Sequence, residues 1–130
     1  AEIETVLICQ SRTHSADYKV IALYSKTADI IGFSTGGVFE SGTIFDAPMS
    51  KWTEAIEIRF FGYEFYQINR QDLTLFTATR GPNSWSQVDD CRVASVTDYQ
   101  KARKVLKKQE DANIKKRKKA TQELIKNQKI

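Results

Sequence analysis

A chain of 130 residues suffices for one hydrophobic core and is short for two domains. Its 41% hydrophobic and 28% charged content is that of a globular protein, which excludes collagen-like and disordered classes. No apolar run approaches the roughly 20 residues needed to span a bilayer as a helix. The net charge of +4 hides an asymmetry: residues 1–96 carry eight Lys and Arg against twelve Asp and Glu, whereas residues 97–130 carry twelve against four. An acidic body followed by a basic tail predicts either an anionic partner for the tail or a tail folded back on its own body.

The opening Ala-Glu-Ile-Glu lacks the basic and long apolar regions of a secretory signal, so the chain is expected to be mature or cytosolic, with a cytoplasmic location. Residues 3–9 are β-branched and apolar and predict a first strand. Cys9 and Cys91, the only two cysteines, lie in apolar strand-like settings and read as buried free thiols, with one disulfide as the alternative. Residues 10–15 form a polar loop. Residues 18–24 alternate as a strand, although Ser15 is placed to cap a short helix from Ala16. Residues 29–34 and 38–45 predict a hairpin about Thr35-Gly36-Gly37, because glycine supplies the positive φ of tight turns.

Asp46-Ala47-Pro48 breaks the pattern and predicts one or two helical turns over residues 49–54. Residues 55–68 carry large apolar or aromatic groups at both parities. They predict one long strand at the centre of the sheet, with Phe60, Phe61 and Phe65 buried. Residues 73–79 and 88–94 read as further strands, separated by an Arg80-Gly81-Pro82-Asn83-Ser84 turn. From Thr97 the sequence reads as one helix, with Thr97 and Gln100 at capping-box spacing. Tyr99, Ala102, Val105 and Leu106 form its apolar stripe, so the first half is expected to dock and the second half to project.

These elements predict an α+β fold, in which a curved or barrel-like, mostly antiparallel sheet of five to seven strands (residues 1–96) precedes one long basic helix (residues 97–130).

Lys115, Lys116, Arg117, Lys118 and Lys119 are five consecutive cations whose repulsion costs helix stability unless an anionic partner or counterions relieve it, the bland alternative being a solvated terminal arm without a specific partner. Together with Lys101, Arg103, Lys104, Lys107 and Lys108 they are the candidate nucleic-acid contacts, since phosphate backbones bind such arrays by counterion release. An acidic protein surface is the alternative partner. Arg59 to Tyr66 (Arg-Phe-Phe-Gly-Tyr-Glu-Phe-Tyr) loosely resembles the RNP1 strand of the RNA recognition motif. In that family such aromatics stack bases on an open sheet. The likeness covers eight residues; Phe60 stands where that family prefers Gly, Glu64 adds a negative charge, and residues 6–11 lack the aromatic of its second motif. The aromatics therefore read as core.

Catalytic signals are sparse. His14 is the only histidine, and with Cys9 and Cys91 it lacks the spacing of a zinc site. Gly36-Gly37 is not followed by the Lys-Ser/Thr of a phosphate loop, so no cofactor is implied. The one catalytic set that the residue types allow is His14 as base, Glu64 as acid and Arg12 or Arg59 as phosphate clamp, in a small endoribonuclease. The sequence as a whole predicts a non-catalytic accessory or regulatory protein that binds nucleic acid or a nucleoprotein machine through its basic helix. The runner-up is a protein-binding inhibitor or adaptor acting through the helix or a sheet edge.

Overall fold

In the computed structural model, which describes residues 2–60, 64–79 and 87–129, eight antiparallel strands close into a barrel. They are β1 (Thr5–Ser11), β2 (Tyr18–Leu23), β3 (Thr27–Ser34), β4 (Gly37–Lys51), β5 (Ala55–Phe60), β6 (Glu64–Asn69), β7 (Thr74–Thr79) and β8 (Gln87–Ala94). One helix, α1 (Val96–Lys126), follows. Each strand pairs with its neighbours in sequence, and β8 returns to pair antiparallel with β1 from Val6–Ala94 to Ser11–Asp89.

An open sheet of five to seven strands is therefore overturned, and the error lies in residues 55–68. They form two strands, not one, and β5 pairs antiparallel with β6 from Ala55–Asn69 to Phe60–Glu64. Because Phe60 opposes Glu64, side-chain parity continues across the reversal. Ile56, Ile58, Tyr66 and Ile68 all face the core, as they would in a single strand. Splitting this segment makes the strand count even, and an up-and-down meander needs an even count for its last strand to pair antiparallel with its first. It also removes the likeness to RNP1, whose eight residues would have to lie in one strand. Closure leaves no edge strand among these eight.

Two clusters hold the fold together. Inside the barrel, Leu7, Ile21, Ile30, Ile58, Ile68 and Leu75 are almost completely buried. Outside it, Val6, Val20, Ala22, Ile31, Phe33 and Val38 pack under Tyr99, Ala102 and Leu106 of α1. The strands with two apolar faces are thus β1 to β3, whose outer face the helix covers, and not residues 55–68. Phe65 is half-buried on the other side of the barrel, while Phe61 and the side chain of Phe60 lie outside the described residues, as does the turn expected at residues 80–84.

Two local expectations are corrected. Residues 49–54 are not helical: Met49, Ser50 and Lys51 complete the 15-residue β4. Asp46 there has a φ of 56°, and its N–H donates to Asp29 Oδ1 at 2.9 Å, which holds the irregular stretch in the sheet. The helix is capped by Ser95, not Thr97. Ser95 Oγ accepts from the Asp98 N–H at 3.2 Å and Asp98 Oδ2 accepts from the Ser95 N–H at 3.0 Å, a reciprocal capping box that starts at Ser95, ahead of Thr97 in the same run of residues. The Gly36-Gly37 turn does form, with φ of 103° and 119°.

The cysteines are joined. Cys9 and Cys91 oppose each other across the β1–β8 seam and form a disulfide inside the barrel, which corrects the reading of free thiols. Among the described residues no helix is long and apolar enough to cross a membrane.

Candidate functional site

The helix is fastened to the barrel at two points. Near its start, Tyr99 donates to Asp29 Oδ2 at 2.8 Å, an oxygen that also accepts from Tyr24 at 3.1 Å. Burial and the neighbouring Asp29 carboxylate both push the Tyr99 hydroxyl pKa well above its ordinary value, so it stays a donor. Three turns later, Gln109 bonds the backbone of Val38. Asn113 reaches Glu40 at 3.4 Å, and every described position beyond it is exposed, including Leu124 and Ile125.

This attachment sorts the ten candidate cations. An α-helix turns about 100° per residue, so Lys101, Lys104, Lys108, Lys115 and Lys119, spaced by 3, 4, 7 and 4, share one face. That face is opposite the one carrying Tyr99, Ala102 and Leu106. All five are exposed and none is in an ion pair among the described residues. Lys118 flanks the row and Lys107 lies about a quarter-turn to one side of it; the row spans about 27 Å from Lys101 to Lys119 at 1.5 Å per residue. Asp111 is the carboxylate on its edge.

The other three cations lie elsewhere. Lys116 is about a quarter-turn off the row. Arg117 lines a groove between α1 and β4 with Glu40, Phe45 and Glu110. Arg103 donates to the Tyr99 hydroxyl oxygen at 3.3 Å and sits 4.7 Å from the centre of the Phe45 ring, where it braces the helix.

The residues proposed for catalysis lie on three elements, Arg12 and His14 in the β1–β2 loop, Arg59 on β5 and Glu64 on β6. Arg12 forms a two-point ion pair with Asp90 at 2.9 and 2.8 Å, and that hydrogen-bonded pairing raises the arginine pKa and lowers that of the aspartate. His14 is exposed in the β1–β2 loop, its Nδ1 2.9 Å from Thr13 Oγ1. Arg59 is exposed on β5, with Nη2 3.5 Å from Ser50 Oγ. Glu64 begins β6, and its side chain lies outside the described residues. No group of three or more metal-ligating side chains occurs among the described residues.

One arrangement was not anticipated. At the barrel end where β1 and β3 finish, a cavity of about 200 Å³ is lined by Ser11, Lys19, Phe39, Tyr66, Thr77 and Gln87, among others. Lys19 reaches across the inner face of β1 to Asp89 Oδ2 at 2.5 Å and lies 5.1 Å from the Tyr66 ring centre. Asp89 is completely buried, and its Oδ1 has no hydrogen-bond partner among the described residues. The signal in the sequence was Lys19 itself: it shares the inward parity of Ile21 and Leu23, where a cation is out of place without a buried partner.

No protein family, curated protein or solved structure matches this chain.

Proposed function

We propose that this protein is a non-catalytic binding protein that engages a polyanion, nucleic acid being the class that suits it best, through the lysine row of α1. The observation that carries the reading is the common outward face of Lys101, Lys104, Lys108, Lys115 and Lys119. A row of unpaired cations on a rigid rod complements a linear array of phosphates, and binding releases the counterions condensed there. Such contacts give affinity without base specificity, so the partner is read by charge and spacing.

A regulatory or accessory role within a nucleoprotein assembly is the role that such sequence-independent contacts suit best. The Cys9–Cys91 disulfide favours an oxidising compartment over the cytoplasmic one expected from sequence, since reducing compartments keep most thiols free.

A second reading, an adaptor that binds an acidic protein surface, is favoured by exposed Leu124 and Ile125 near the helix end. The two readings separate in a titration against duplex DNA and against an acidic protein at rising salt. A polyanion contact made by five lysines has a log–log salt slope of about −4.5, roughly a 500-fold loss between 50 and 200 mM. Binding only to the acidic protein, tolerant of salt and lost in Leu124→Asp, would put the adaptor first.

A further inference from the structure

We propose that the cavity at the barrel end where β1 and β3 finish binds a small neutral polyhydroxylated molecule about the size of one sugar ring. The site is built around the Lys19 ammonium, which lines the cavity and has spare bonding capacity. The Lys19 ammonium has three donors and Asp89 takes one of them. Asp89 has no accessible surface and does not line the cavity; it holds Lys19 from behind and leaves the other two ammonium donors to the cavity. Thr77 adds a hydroxyl able to donate and accept, whereas Ser11 Oγ is already taken up by the His14 N–H, Gln87 Nε2 and the Thr13 hydroxyl. Gln87 spends its Nε2 on Ser11 at 3.1 Å and keeps its carbonyl oxygen as an acceptor.

A cavity that offers donors and acceptors so closely interleaved is matched by hydroxyl groups, which serve as both. Charge points the same way. Lys19 is already neutralised by Asp89, so a buried anion would find no unmatched counter-charge and would keep its desolvation cost. Asp17 at the rim disfavours an anion further. The rings of Phe39 and Tyr66 provide apolar walls for the C–H face of a sugar. The volume, about 200 Å³, is the share of six or seven water molecules, enough for one ring and too little for a lipid chain.

The test is a nuclear magnetic resonance titration of the whole protein with glucose, galactose and maltose, with butyrate and ethanolamine as charged controls. The proposal expects saturable shifts confined to Ser11, Lys19, Thr77, Gln87 and their neighbours, with neither charged probe saturating there. Thr77→Val, which keeps the shape and removes the hydroxyl, should weaken binding about tenfold. Thr77→Phe, which fills the cavity, should abolish it. Tighter binding of glucose than of maltose would mark a free monosaccharide as the ligand, and the reverse would mark the end residue of a glycan.

Should Thr77→Phe fail to fold, Thr77→Val and Gln87→Met decide the matter, because neither adds bulk. The proposal is overturned if no neutral sugar gives a saturable shift, which would leave the cavity to ordered water. It is equally overturned if the shifts survive in these variants, or if butyrate or ethanolamine saturates the site and the sugars do not.

Discussion

The side-chain amide of Gln109 pairs with both backbone polar groups of Val38: the Val38 N–H donates to Oε1 at 2.9 Å, and Nε2 donates to the Val38 carbonyl at 3.1 Å. The helix thus adds a single strand-like rung to β4 where that strand leaves the Gly36-Gly37 turn. The approach requires glycine at 37, where a Cβ would stand 2.6 Å from Gln109 Oε1. Gln109→Leu keeps the helix-forming tendency and strands two backbone groups, so it should cost about 1–3 kcal/mol in chemical denaturation. Its amide exchange protection should fall between Gln109 and Asn113 and stay intact at Tyr99. Uniform loss of protection along α1 would contradict a two-point attachment.

The Lys19–Asp89 pair should behave asymmetrically. Lys19→Met leaves a fully buried carboxylate without its cation and should destabilise the fold by about 3–5 kcal/mol. Adding Asp89→Leu to that variant removes the stranded charge and should recover most of the loss. A double-mutant cycle with additive losses would show that the two residues do not interact.

Reducing the Cys9–Cys91 bond opens a loop of 82 residues that spans the barrel seam. The chain-entropy relation gives roughly 4.5 kcal/mol for a loop of that length, so the reduced protein should denature at clearly lower denaturant. The exchange protection lost first should be that of β1 and β8. Equal stability of the oxidised and reduced forms would mean that the bond does not restrain the unfolded chain.

The helix cap predicts an acid-side response. Hydrogen bonds from the Ser95 N–H and hydroxyl hold the Asp98 carboxyl below its ordinary value of 3.8. A lowered folded-state pKa gives stability that is complete above the ordinary value and is lost as pH falls through the lowered one. Asp98→Asn should therefore remove part of the pH dependence below about pH 4 and leave the profile above pH 5 parallel to wild type. A profile shifted equally at all pH values would deny Asp98 this role. Ser95→Ala should cost about 1 kcal/mol at neutral pH, the usual loss for an N-cap.

Most strands were legible because their apolar parity is strong, and that same parity concealed the hairpin. The pairing of Phe60 with Glu64 preserves the inward register of Ile56, Ile58, Tyr66 and Ile68, so one strand and two strands predict the same faces. Without that reversal the closed barrel cannot be counted. The lysines were visible individually, yet their common face had to be read against the docked one, which includes Gln109 and Asn113. Those contacts are polar and leave no mark in an apolar stripe. The cavity was hidden because Lys19 and Asp89 are 70 residues apart and meet only when β8 returns beside β1.

The central claim, that one face of the helix meets a polyanion, is tested most directly by removing the same charge from two faces. Lys115→Gln with Lys119→Gln removes two cations from the row, and Lys116→Gln with Arg117→Gln removes two from beside it. Gln preserves helix propensity in both, so folding should be retained. In salt titrations of duplex DNA binding, the first pair should flatten the log–log slope by about 1.8, at 0.9 per phosphate contact, and the second pair should leave it nearly unchanged. Equal flattening by both pairs would mean that charge alone attracts the partner without a binding face. No measurable DNA binding by the wild-type protein at 50 mM salt would contradict the account outright.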